Sequence, residues 1–77
     1  DPSDVKDQDS RPLRTWKQRQ QALVDLGFFI GDAGVDGILG YYTRAAVTAF
    51  QQEEGLVADG VWGPRTERAA RIALARE

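Results

Sequence analysis

The sequence predicts an all-α fold, a compact three-helix bundle with an internally duplicated turn–helix unit, and three observations carry that prediction. First, Asp36-Gly37-Ile38-Leu39-Gly40-Tyr41-Tyr42-Thr43, with Ala46 beyond it, recurs 23 residues later as Asp59-Gly60-Val61-Trp62-Gly63-Pro64-Arg65-Thr66, with Ala69 beyond it. Both copies read as a tight turn feeding a helix N-terminus. Second, apolar residues recur at helical spacing, as in Thr43, Ala46, Val47 and Phe50, and no stretch reads as a credible strand. Third, Gly27 and Gly55 stand where two helices should stop.

Taken in chain order, residues 1–12 are polar, Asp-rich and without periodicity, and are expected to be a disordered linker closed by Pro12. The folded domain is expected over 13–77. Thr15 is an N-cap candidate with Gln18 in capping-box position, so the first helix is predicted from Trp16 to Leu26, with Trp16, Leu23 and Leu26 as its apolar stripe. Phe28 should follow Gly27 in a Schellman arrangement, packing back on Leu23. Phe29 to Val35 reads as a loop leading to the first Asp-Gly turn. Asp bonds backbone amides two residues on and Gly tolerates positive φ, so each turn reverses the chain, and the apolar pair after it is expected to point inward. Gly40 and Gly63 fall at N-cap positions, and Pro64 at the first helical position needs no N–H. The second helix is predicted from Tyr41 to the Gly55 stop, and the third from Pro64, with Ala69, Ile72 and Ala73 as its buried stripe and Ala70, Leu74 and Ala75 blurring its edges. The Thr43 and Thr66 hydroxyls are placed to reach the turn carboxylate or an unpaired amide, locking turn to helix. Helices this short are marginal alone, so packing must stabilise them.

Seventy-seven residues make one small domain, burying about 60% of its unfolded surface. Because the chain opens on Asp-Pro, it is expected to be a mature or excised piece of something longer. With no Cys and no His, it lacks disulfides, the usual zinc ligands, Ser–His or Cys–His nucleophile pairs and imidazole acid–base chemistry. That excludes most enzymatic readings, and neither metal nor cofactor is expected. No apolar run approaches the ~20 residues of a membrane span. The net charge of −2 is uneven: residues 1–10 carry −3, leaving +1 for the rest, with Arg65, Arg68, Arg71 and Arg76 near the C-terminus. That is too little for a nucleic-acid reading on charge alone.

Several residues can be weighed as ligand contacts. Tyr41 and Tyr42 lie outside the helix-two stripe and offer flat apolar faces with polar tips suited to a wet saccharide or peptide surface. Trp62 could stack on a sugar, but its counterpart Leu39 argues for the core. Arg44 and Arg65 sit where a helix N-terminus favours anions and a peptide carboxylate could be held; the structural alternative for each is a pair with a turn Asp. Asp36 and Asp59 read as turn formers rather than a catalytic pair. Phe29, Gln51 and Gln52 can line a groove, although Phe29 also suits the gap between the first helix and the first turn.

Gln20-Gln21-Ala22-Leu23, Leu26-Gly27-Phe28, Asp36-Gly37-Ile38-Leu39-Gly40, Thr43, Ala46-Val47, Phe50-Gln51, Gly55-Leu56, Asp59-Gly60, Trp62-Gly63-Pro64 and Thr66 together resemble the bacterial peptidoglycan-binding domain family, type 1, over about Leu13 to Leu74. The resemblance implies a non-catalytic three-helix module that holds a cell-wall hydrolase, such as an amidase, carboxypeptidase, muramidase or phage endolysin, on its substrate. Its implied partners are peptidoglycan, through glycan strand or stem peptide, and an attached catalytic domain, with no nucleic acid or membrane and a monomeric state. The implied location is the cell wall, reached by a secreted or periplasmic protein or by a phage lysin. Arg19, Tyr41 and Ala70 depart from the family's habits of an apolar residue, Pro and Leu at these positions. The propeptide domains of matrix metalloproteinases are also similar, but they carry an inhibitory Cys segment.

Two other classes compete. A dockerin-like calcium module also repeats an Asp-bearing turn and a helix, but aligning Gly37 to the loop glycine puts Gly34 and Thr43 at ligand positions three and twelve, and the second copy offers Gly55, Val57 and Thr66. A protein-interaction module packing on a partner, or on its own parent catalytic domain, stays open because three-helix bundles host many functions.

Overall fold

The computed structural model describes residues 13–76, and the linker expected over residues 1–12 lies outside them. Three helices make up the fold, α1 (Trp16–Asp25), α2 (Tyr41–Glu53) and α3 (Pro64–Ala75), and no strand occurs among the described residues. The helix starts fall where the sequence places them. Thr15 Oγ1 accepts from the Gln18 amide at 3.2 Å and Gln18 Oε1 accepts from the Thr15 amide at 3.0 Å, a complete capping box. Both expected stops are Schellman motifs: Phe28 N donates to Leu23 O and Gly27 N to Val24 O after α1, and Leu56 N donates to Gln51 O and Gly55 N to Gln52 O after α2.

One core holds the molecule together. Leu13, Ala22, Leu23, Ile30, Ala46, Val47, Phe50, Ala70 and Leu74 are buried, and α1 packs on both α2 and α3. Phe28 meets Phe50 edge to face at 5.8 Å, so the residue that closes α1 also anchors α2. The α2 stripe read from the sequence, Thr43, Ala46, Val47 and Phe50, is the buried face.

Two glutamines fix the helix order. Gln20, on α1 and fully buried, accepts at Oε1 from the amides of Asp36 (3.0 Å) and Gly37 (2.7 Å). Its Nε2 lies 3.0 Å from each of Asp36 Oδ1, Ile38 O and Thr43 Oγ1, so two N–H groups are shared among three acceptors. Gln51, on α2, repeats the arrangement at the second corner: Nε2 donates to Asp59 Oδ1 (3.1 Å), Val61 O (2.9 Å) and Thr66 Oγ1 (2.9 Å), and Oε1 accepts from Gly60 N (2.9 Å). Each helix thus grips the corner that launches the next. The threonine hydroxyls do lock turn to helix, but through a glutamine of the preceding helix rather than by a direct bond to the carboxylate.

Two packing expectations are corrected by this geometry. Of the apolar pairs after the Asp-Gly turns only Trp62 packs inward, half-buried against the core, whereas Ile38, Leu39 and Val61 are exposed. Ile38 O and Val61 O face the buried glutamines, which turns their side chains outward. On α3 the fully buried residues are Thr66, Ala70 and Leu74, flanked by half-buried Ala69, Ile72 and Ala73. Thr66 must face Gln51, and positions four and eight residues on follow it inward.

The corner glycines are required for different degrees of closeness. Gly60 has φ +73°, and a Cβ there would meet Arg44 Nε at 3.0 Å, with Arg44 Cγ and Thr48 Oγ1 both at 3.1 Å. Gly37 has φ +81°, but its nearest atom would be Lys17 Cγ at 3.4 Å. A left-handed backbone costs a non-glycine residue roughly 1–2 kcal/mol. Gly37→Ala is therefore expected to cost about 1 kcal/mol, and Gly60→Ala about 1 kcal/mol more because Arg44 must shift. Urea denaturation of the two variants checks this, and equal costs would show that Arg44 exerts no crowding.

Candidate functional site

The loop after α1 and the start of α2 bring three exposed aromatic rings into one run. Phe29 meets Tyr42 at 5.6 Å with planes at 71°, and Tyr42 meets Tyr41 at 5.2 Å with planes at 83°. Their exposures are 65%, 54% and 81%, so none is spent on the core. Phe29 does not fill the gap between α1 and the first turn. It stands outside, against Tyr42, because Phe28 and Ile30 on either side take the inward positions. Gly31 makes the run possible: a Cβ there would lie 3.1 Å from Tyr42 Cβ and Cδ2, so the ring rests against bare backbone.

Beside this run lies an open groove of about 320 Å³ at the first corner, walled by Ile30, Ile38, Tyr41 and Tyr42 with Asp32 and Asp36 at its polar side. Among the described residues, no Lys or Arg lines it. Aromatic faces beside carboxylate acceptors, without a cation, suit a neutral, hydroxyl-bearing ligand such as a sugar ring.

The two corner carboxylates stay ionised. Hydrogen bonding from the Gln20 amide, then from the Ile38 backbone, holds Asp36 below its usual value; the Val61 amide does most for Asp59, helped by Gln51 and by the nearby charge of Arg44 against the opposing effect of desolvation. A depressed carboxylate contributes stability that is complete above its unfolded pKa of 3.8 and is lost as pH falls through the lower folded value. With no His in the chain, the melting temperature is expected to be flat from about pH 5 to 8 and to fall below about pH 4. A thermal melt series followed by circular dichroism checks this, and a marked slope between pH 5 and 8 would contradict it.

The other sequence candidates lie elsewhere. Arg44 reaches from α2 to the second corner, lying over Gly60 and acting on Asp59, which is the turn-Asp alternative weighed for it, though with the carboxylate of the other corner. Trp62 is half-buried, meeting Trp16 edge to face at 6.3 Å, with the Arg19 guanidinium 5.0 Å from the Trp16 ring and 5.4 Å from its own. Its indole N–H is buried without an acceptor among the described residues, and its ring packs against the core. Leu39 does not share that role, being 43% exposed. Arg65 lines a separate groove at the second corner. Of the six candidates, Phe29, Tyr41 and Tyr42 come together, and Arg44, Arg65 and Trp62 do not join them.

A family model described as "Putative peptidoglycan binding domain" matches residues 14–69, which include both corners and the aromatic run. The chain belongs to this family. Among curated proteins, it is 48% identical over 57 residues to the N-acetylmuramoyl-L-alanine amidase CwlM of Mycobacterium tuberculosis, covering 74% of this chain and 14% of that protein. It is 42% identical over 59 residues to a "Probable N-acetylmuramoyl-L-alanine amidase" of Bacillus licheniformis, covering 77% of this chain and 17% of that protein. It is also 40% identical over 53 residues to the amidase CwlL of the same organism, covering 69% and 15%. No solved structure matches the chain at a significant level. The peptidoglycan-binding domain thus spans about a sixth of these relatives or less, the proportion of a non-catalytic module beside a larger body.

Proposed function

We propose that this peptidoglycan-binding domain holds an attached cell-wall amidase on its substrate by laying sugar rings against Phe29, Tyr41 and Tyr42. The carrying observation is the exposed aromatic run beside the first-corner groove, which the core does not use. The match to amidases over a small share of their length supports the attached catalytic body. Work at the wall by a secreted or periplasmic protein, or by a phage lysin, follows from that same reading, and a single copy suffices because the run lies within one chain.

Because the groove offers no cation, the glycan contact depends little on salt. Sedimentation with purified peptidoglycan is expected to carry the domain into the pellet at low and at moderate salt. A domain left wholly in the supernatant under both conditions would end the binding reading with the fold untouched.

A further inference from the structure

The second corner carries a groove of different chemistry. It measures about 430 Å³, with Leu56, Val57, Val61 and Pro64 as apolar walls and Asp59 and Arg65 as its charged lining residues. A further groove of about 280 Å³ shares Leu56 and Arg65 with it and continues along α3 past Arg68 and Ile72 to Arg76, with Glu54 as its one acidic lining residue. Arg65, Arg68 and Arg76 are exposed, and among the described residues no carboxylate pairs with them, whereas Arg71 lies outside this lining and meets Glu67 at 3.4 Å. The joined surface is an apolar trough flanked by three arginines.

We propose that this trough is a second subsite, binding the short carboxylate-bearing peptide of peptidoglycan while the first corner binds its glycan. Three observations select that occupant. Charge complementarity calls for an anion, with three arginines against two carboxylates, Glu54 and Asp59, of which Asp59 is already held by the Val61 amide and Gln51. The apolar walls call for small apolar side chains between the charges and are wasted on a bare phosphate chain. From Arg65 to Arg76 the helix advances about 16 Å, and an extended peptide covers that in four or five residues. The inference rests on the peptidoglycan reading and divides its ligand between two faces, aromatic and without a cation on one, arginine-lined on the other.

Nuclear magnetic resonance titration of the full chain with two probes, a synthetic stem pentapeptide and a peptide-free glycan oligomer, tests it. The pentapeptide is expected to shift the amides of Leu56, Val57 and Val61. Its affinity should fall at least tenfold in Arg65→Gln/Arg68→Gln, and similarly from 50 to 300 mM salt. Both side chains are exposed, and an unchanged circular dichroism melt confirms that the variant folds. The glycan oligomer is expected to shift Phe29, Tyr41 and Tyr42 equally in parent and variant. If whole peptidoglycan sediments the domain but the pentapeptide shifts nothing, or shifts the first corner, the second subsite is overturned and the wall-binding reading stands. If a glycerol-phosphate polymer shifts Leu56, Val57 and Val61 and the pentapeptide does not, the trough is an anion strip for another wall polymer and the peptide assignment falls. If neither probe nor whole peptidoglycan binds, the broader reading fails and this one with it.

Discussion

Replacing Gln20 with methionine is expected to lower the melting temperature by roughly 15 °C or more, and Gln51→Met to do nearly the same. Methionine conserves length and approximate volume, so packing changes little and the loss isolates the hydrogen bonds. At the first corner those bonds serve the amides of Asp36 and Gly37, the Ile38 carbonyl, the Thr43 hydroxyl and the Asp36 carboxylate. Each buried group left without a partner costs about 1–3 kcal/mol. Asp36 and Gly37 are exposed and water can serve part of their need, whereas Thr43 is buried and cannot be rescued so easily. A net loss of roughly 3–5 kcal/mol follows, set against a total stability of about 4–11 kcal/mol for a chain of this length. Gln21, exposed on the same helix and with its side chain bonded only to Asp25 among the described residues, is the control: Gln21→Met is expected to stay within about 0.5 kcal/mol. Thermal and urea melts of the three variants decide it, and a Gln20→Met melting temperature within 5 °C of the parent would mean that the corner holds without its glutamine.

The glutamines also mark the limit of what the sequence discloses. Both corners were legible, because an Asp-Gly turn, a glycine N-cap and a threonine one turn later are local chemistry repeated at one spacing. The stops were legible for the same reason, and the α2 stripe because its apolar residues share one clean period. Gln20 and Gln51 were not, since they stand 16 and 8 residues before the turn carboxylates they hold. A comparison at the 23-residue period cannot align them, and a buried glutamine on an amphipathic helix resembles an exposed one until its partners are known. The outward turn of Ile38 and Val61 was hidden by the same omission, because it follows from where their carbonyls point. The exposed aromatic run was half legible. Adjacent tyrosines outside the stripe announced themselves, whereas Phe29 joins them only because the loop folds Ile30 inward and leaves Gly31 beneath the Tyr42 ring.

That arrangement sets the largest expected effect on binding. Tyr41 is 81% exposed and Phe29 65%, and removing both rings should leave the core intact, whereas Tyr42 lies over Gly31 and its loss would disturb the loop. The double variant Phe29→Ser/Tyr41→Ser is therefore the clean test of the glycan face. An aromatic face lost from a contact typically costs about 0.5–1.5 kcal/mol beyond its area, and two such faces together are expected to weaken peptidoglycan binding by roughly 30-fold, or about 2 kcal/mol. The melting temperature should move by no more than a few degrees. Trp62→Phe provides the contrast at the Trp16 and Arg19 cluster: its indole N–H is buried without an acceptor among the described residues, so the change removes an unpaired donor and is expected to leave binding as it was. Sedimentation isotherms for the three proteins separate the alternatives. Binding by the double variant within twofold of the parent would remove the aromatic run from the site, and a loss in Trp62→Phe as large as in the double variant would move the site to the Trp16 and Arg19 side of the bundle.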